Sequence, residues 1–446
     1  MIPSFNTSAI DLKWDENWSY SQEIKIPFDT SMKPAHFQPI DMKIDFKNHC
    51  WAKNDDEHSI RILCWDGNSW HELESQIYGL EISQTNFISS CNVVFLIPDF
   101  ANGAEQYFLF YDDSEKSNPN YVDHVKTEDA FYRYEPISGY PLESNYFKII
   151  DDDFIIYSVS YEGQIMGYNT GQHIVKMNEK TTEVLPKNGK LFAAFDFRYS
   201  CDKGILDISS TAEIFFSKEI LVDGNLMVEF RIVSTSTFND FKTTATYKYY
   251  HCPASNTRFH VHVKHESQRE IDVYPNLPAS NTDGVYAALQ CGGIKSRSIN
   301  DLNYGRILPF LHYYSDLDII SELSLDLDPE YNSEHPEITI IGNDDDVDLG
   351  TKTWVSFDDG KNGESHGLIF SSNDVLISGT DEKNGLQINV LESDYPHLPG
   401  LENDLATIQI GRNSIEPGSN HDLKIPSDFT VEFYADFFSS ENDGYI

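Results

Sequence analysis

A hydrophobic period of two constrains this chain more than any other feature. Ile40, Met42, Ile44 and Phe46 alternate with Asp41, Lys43 and Asp45, and Val228, Phe230 and Ile232 alternate with Glu229 and Arg231. Ala406, Ile408 and Ile410 alternate with Thr407 and Gln409, and Phe429, Val431 and Phe433 with Thr430, Glu432 and Tyr434. Successive side chains of an extended backbone point to opposite faces, so the pattern gives one packed face and one wet face, the habit of antiparallel sheets. The turns agree. Asp66-Gly67, Asn188-Gly189, Asp223-Gly224 and Asn384-Gly385 each separate two apolar runs. Such pairs supply the positive φ angles of tight hairpins, so each predicts one. Helical spacing is confined to short pieces near residues 128–134 and within 300–323, where Pro309 interrupts it. The expected fold class is all-β: an antiparallel β-sandwich module followed by a larger β-sandwich or super-sandwich domain.

The boundary comes from composition. The strong strand EQYFLFYD is followed by DDSEKSNPNYVDHVKTED, which is polar, contains Pro119 and has no apolar alternation. This places a first module over 1–113, a linker over 114–145 and a large antiparallel domain over 146–446. No repeat of solenoid or propeller period is present.

Charge narrows the partners. The chain has 72 acidic and 32 basic residues, a formal charge of −40. A surface this negative repels phosphate backbones and anionic lipid, which argues against nucleic acid and membrane surfaces. Hydrophobic residues at 40% and aromatics at 13% argue against disorder. No apolar run reaches the roughly 18 residues of a membrane span. The N-terminal residues lack a basic segment followed by an apolar one, so the chain is expected either inside the cell or, as a mature or excised portion, outside it. Of the two, an extracellular or cell-surface location is the expectation. Cys50, Cys64, Cys91, Cys201, Cys252 and Cys291 form no CxxC pair; they fit small buried hydrophobes, with disulfides left open.

Three groups of residues could carry chemistry. In the first, Tyr249-Tyr250-His251-Cys252 precedes a segment in which a strand over 258–266 would turn Phe259, Val261 and Val263 to the core and His260, His262 and Lys264 to the other face. Two histidines two apart on a strand can hold one metal ion. They can also form a proton-transfer face, with Arg258 neutralising a uronate carboxylate and a tyrosine acting as acid. A solvated strand face has the same pattern. The second group, Asn303 to Arg306 with His312, Tyr313 and Tyr314, combines rings and a guanidinium as a sugar groove does, and Arg306 joins the catalytic candidates. The third is acidic: Asp151-Asp152-Asp153, Asp326 with Asp328, and the run containing Asp344, Asp346 and Asp348. Clustered carboxylates suit Ca²⁺, although EF-hand spacing is absent, and the last run is the first choice for a Ca²⁺ site. Trp14, Trp18, Trp51, Trp65 and Trp70 crowd the first module and suit either a sugar platform or a core, the core being expected for most. P-loop, GxGxxG, HExxH and GxSxG patterns are absent.

The order IKIPFDTS, QPIDMKIDF, a Trp-Asp-Gly-Asn hairpin and FISSCNVVFLIPDFANGAEQYFLFYDDSE resembles the N-terminal β-modules of secreted rhamnogalacturonan-lyase-type proteins. The later KTWVSFDDGKNGESHGLIFSS resembles a segment of the galactose-mutarotase-like super-sandwich. Together the two likenesses touch about a third of the chain. They imply a carbohydrate partner and a polysaccharide lyase or related carbohydrate-active enzyme. The residues alone also allow a non-catalytic adhesin or surface-layer protein.

Overall fold

The structure, a computed structural model, describes most of residues 14–181 and 214–273, the strands Gly189–Arg198 and Ala288–Ser296, and strand segments between 310 and 440. The described residues are almost wholly β. The only helical turn among them is the 3₁₀ piece Lys33–Ala35, and none of their helices is long and apolar enough to cross a membrane. The chain divides into two units, Met1–Asp123 with Gly224–Leu226, and His124–Asp223 with Met227–Ile446.

The first unit is a sandwich. Its four-stranded sheet runs in the order Tyr20–Ile24, Gln106–Tyr111, Ile60–Trp65, Trp70–Leu73. The three-stranded sheet runs Pro39–Trp51, Phe87–Leu96, Ser75–Gln84, and every pairing is antiparallel. Ile62, Cys64, Leu109 and Tyr111 of one sheet share a buried cluster with Ile44, Cys91, Val93 and Phe95 of the other. Each large aliphatic or aromatic side chain so buried contributes about 1.5–3 kcal/mol. Cys50, Cys64 and Cys91 are buried free thiols. Burial is the main reason that the thiols of Cys64 and Cys91 are pushed up to about 12, so they stay protonated and unreactive.

One strand of this unit departs from the one-face pattern. The strand Ile60–Trp65 is buried on both faces as far as Cys64. Its outward Arg61 lies under Trp18, with the guanidinium 5.5 Å from the ring centroid. Arg61 also donates to the carbonyls of Ile60 and Ser117 and pairs with Glu72 at 3.3 Å. Trp14 meets Phe110, and Trp70 meets Phe108 and Phe110, on the same face. Residues before the first strand and after the Gln106–Tyr111 strand therefore cover a face that periodicity would leave wet. Trp51 belongs to the core as expected, whereas Trp14, Trp18, Trp65 and Trp70 are half-buried.

The second unit holds two large antiparallel sheets. One has eleven strands, with the path Thr339–Ile340, Gln387–Asp394, Asp404–Asn413, Ala288–Ser296, Gly189–Arg198, Ile174–Thr181, Phe154–Ile165, Tyr140–Asp151, Val125–Ile137. The other has ten, with the path Ile214–Asp223, Met227–Thr235, Phe241–Tyr250, Thr257–Ser267, Thr430–Ser440, Ser365–Phe370, Trp354–Asp358, Phe310–Tyr314, Ile320–Ser324. Rings join them face to face. Phe147 packs on Phe230 at 4.8 Å, and Tyr157 stacks on Phe259 at 4.8 Å and touches Tyr249 and Phe437.

The hairpin and helix expectations divide. Asp66-Gly67 and Asp223-Gly224 join paired antiparallel strands. Ile174–Thr181 and Gly189–Arg198 also pair, the second strand opening at Gly189, while Asn188 lies outside the described residues. Asn384-Gly385 lies outside the described residues, and the strands flanking it are not a hairpin. Leu376–Ser378 pairs with Thr430–Ser440 in one sheet, and Gln387–Asp394 pairs with Asp404–Asn413 in the other. The piece near 128–134 is strand, part of Val125–Ile137, which pairs along its length with Tyr140–Asp151. Much of the expected linker is therefore sheet. At its start Val125 and Thr127 are buried and Lys126 between them is exposed, whereas Asp129, on the face of Val125 and Thr127, is exposed and breaks the pattern. Phe310–Tyr314 and Ile320–Ser324, where the second helical piece was expected, are an antiparallel pair.

Candidate functional site

Residues 258–266 are strand, as the spacing requires, and Phe259, Val261 and Val263 are buried. His260, His262 and Lys264 lie on the opposite, partly exposed face. The neighbouring strands continue that face in register. Lys248 stands opposite His260 and Thr246 opposite His262, while Glu229 and Arg231 pair with Lys248 and Thr246. On the other side Asp436, Tyr434 and Glu432 stand opposite His260, His262 and Lys264. Both histidines are engaged by carboxylates. His260 Nδ1 bonds Asp436 Oδ1, and His262 Nε2 lies 2.8 Å from Glu432 Oε1. The His262 ring stacks on Tyr434 with centroids 4.0 Å apart and planes 6° apart, and Tyr434 is 52% exposed. Tyr250, covered at the end of its strand, sets its ring at 86° to His260 with centroids 5.2 Å apart.

The fold thus brings His260, His262 and Tyr250 together, with Arg258 exposed on the same strand. Arg306 lies outside the described residues. So do Asp344 and Asp346, and Asp348 is placed only through the backbone pairing of Val347–Asp348 with Gln387–Asp394. Sequence reasoning did not find Asp436, Glu432 and Tyr434, because they stand about 170 residues away. The signal available was the alternation of 429–434, whose polar positions had to border some neighbouring strand. Three cations on this face are paired: Lys264 with Glu266 at 2.7 Å, Lys248 with Glu229 at 3.5 Å and Arg231 with Glu219 at 3.9 Å.

A second cluster gathers two motifs that were separate in the sequence, the acidic run 151–153 and the segment Tyr249 to Cys252. Asp152 and Asp153 form the turn between Tyr140–Asp151 and Phe154–Ile165, with φ of 47° and 71°, a conformation that Asp tolerates better than most residues. Asp151 is buried and accepts from Tyr249 OH at 2.7 Å, His251 Nδ1 at 2.6 Å and the Cys252 amide at 3.1 Å. Burial, reinforced by the Asp151 charge, pushes the Tyr249 phenol well above its usual value, so it remains a donor. Asp152 Oδ1 lies 2.7 Å from His124 Nδ1, and the His124 and His251 rings stack 3.9 Å apart. His124, Asp152 and His251 each offer one ligand atom, all within 4.8 Å of one another.

The sequence matches no protein-family model and no curated protein. Among solved structures it is similar to an alpha-mannosidase from Enterococcus faecalis V583, with TM-score 0.38 and 8% identity, covering 93% of this chain and 43% of that one. It is similar to a glycosyl hydrolase family 38 protein from Enterococcus faecalis, with TM-score 0.37 and 9% identity over 92% and 43% of the two chains. It is also similar to the GH36 alpha-galactosidase AgaA from Geobacillus stearothermophilus, with TM-score 0.31 and 8% identity over 70% and 41%. The chain spans less than half the length of these proteins, and the likeness carries no residue role across.

Proposed function

We propose that this chain is an extracellular carbohydrate-binding β-protein whose ligand surface is the outer face of the ten-stranded sheet around His262 and Tyr434. One observation carries the reading: a half-exposed tyrosine ring, backed by a stacked imidazole and bordered by hydrogen-bonding groups in register. Sugar C–H faces pack on such rings, and the surrounding carboxylates, imidazoles and ammonium groups match hydroxyls as acceptors and donors. Lys248 and Lys264 are each paired with a carboxylate, and these pairs reduce the positive charge that a polyuronate would need, which favours neutral glycans over the acidic substrate of a lyase. A charge of −40 suits a cation-rich exterior.

Calorimetric titration against neutral and uronate oligosaccharides tests this. A neutral glycan is expected to bind, and Tyr434→Ala to weaken it about tenfold, the loss of roughly 1.4 kcal/mol of ring contact. Unchanged affinity in Tyr434→Ala, or no binding across the panel, would sink the proposal. Release of unsaturated uronate, followed by its ultraviolet absorbance, would establish the lyase alternative instead.

A further inference from the structure

We infer that His124, Asp152 and His251 form a binding site for a divalent transition metal of the zinc class, with Asp151 as its positioning residue. The site is independent of the sugar-binding face. Its donors come from three places in the chain: the residue before Val125–Ile137, the turn after Tyr140–Asp151, and the residue after Phe241–Tyr250. Two imidazoles and one carboxylate make a nitrogen-rich set, which zinc prefers and calcium, a cation that takes six to eight oxygens, does not. Three protein ligands leave a fourth tetrahedral position for water.

The strongest support is the fixed orientation of His251. Its side chain is only 5% exposed, and its Nδ1 donates to Asp151 Oδ1 at 2.6 Å. That hydrogen bond assigns the proton to Nδ1 and leaves Nε2 with a lone pair. A carboxylate behind a ligating imidazole is the arrangement by which proteins aim such ligands and raise their basicity. Asp151 cannot swing away, because Tyr249 OH and the Cys252 amide hold its other oxygen. These three contacts define a rigid base at one side of the site.

His124 and Asp152 form the adjustable side. Zinc–nitrogen bonds of about 2.0–2.1 Å require the donors to close from separations of up to 4.8 Å to roughly 3.4 Å. Stacked imidazoles cannot both aim in-plane lone pairs at one ion, so chelation turns His124 out of the stack and exchanges its hydrogen bond to Asp152 for the metal. Asp152 is exposed and His124 partly so, which permits the movement. The backbone already ties the two together, the Asp152 amide donating to the His124 carbonyl at 3.0 Å.

Titration of the full chain with Zn²⁺ in excess Mg²⁺, which occupies the weak acidic sites, tests the assignment. One zinc is expected to bind tightly, with a rise in the thermal midpoint. His124→Ala, a partly exposed position, should lose that zinc and keep the fold, as read by circular dichroism. Asp151→Asn should weaken zinc about 10- to 100-fold. It should also alter the Co²⁺ absorption spectrum, which a purely structural role for Asp151 would leave unchanged. If His124→Ala and Asp152→Asn both take up zinc with wild-type stoichiometry and affinity, or if the wild type takes up none, the site does not exist.

Discussion

Asp151 shows how one residue organises its surroundings. It is a buried carboxylate whose cost of desolvation is offset by three donors, two of them side chains from the strand end near Tyr249 and His251. Removing a buried acceptor leaves each donor unsatisfied, so Asp151→Ala is expected to cost about 3–5 kcal/mol in urea unfolding. The exposed Asp56→Ala should leave the midpoint unchanged. Equal effects of the two would show that the hydrogen bonds around Asp151 are weak. The sequence showed both Asp151 and His251 as members of polar clusters. It gave no sign that they meet, because residues 100 apart in the chain share no local periodicity.

At the scale of the element, two Asp-Gly turns that look identical in the sequence use glycine differently. Gly67 has φ of +98° with open space around it, so Gly67→Ala pays only backbone strain, about 1 kcal/mol. Asp66 reinforces that turn by accepting from the Asn68 and Ser69 amides at 2.7 and 2.8 Å. Gly224 lies outside the left-handed region; a Cβ there would stand 2.3 Å from the Gln76 carboxamide, whose oxygen accepts the Leu226 amide at 2.8 Å. Gly224→Ala is therefore expected to couple to Gln76→Ala, the double variant being less destabilised than the sum of the singles, whereas Gly67→Ala and Gln76→Ala should add. Additivity in both pairs, measured by chemical denaturation, would contradict the close-approach account. The strand Ile60–Trp65 shows the same dependence: Arg61 is buried between Ile60 and Ile62, and the Trp18 ring and the Ser117 carbonyl that cover it come from other segments.

For the whole molecule, buried histidines and hydrogen-bonded carboxylates tie stability to pH. Burial lowers both His58, with the nearby Arg61 charge adding, and His265 to about 3. The unfolded chain protonates these rings near 6.5, so between about pH 6.5 and 3 it binds more protons than the folded chain. Stability therefore falls as pH falls through that window. Asp66 and Asp112 add to the loss at lower pH. Hydrogen bonds from Ser69, His71 and Asn68 hold Asp66 below the usual carboxylate range. At Asp112 those from Ser114 and Ser19 do so against the opposing effect of burial. Their contribution is present above the unfolded carboxylate value near 4 and disappears as pH drops below it. Urea midpoints at pH 7.5, 6.5 and 5.5 should decline in the wild type and flatten in a His58→Gln, His265→Gln double variant; an unchanged slope would show that other groups carry the dependence.

The sequence alone determined the all-β class, the antiparallel pairing and the face on which His260 and His262 stand, because a period of two is a local property of an extended backbone. It misread 128–134 as helical, because the polar strand Val125–Ile137 at the sheet edge alternates weakly. Only the tertiary structure decided what those faces meet. It put Asp436, Glu432 and Tyr434 beside the two histidines, joined the run at Asp151 to His251, sent the strands flanking Asn384 into different sheets and covered the outward side of Arg61. Each of these depends on which distant strand lies alongside, and that choice is made by the fit of whole faces, a property no local stretch of the chain contains.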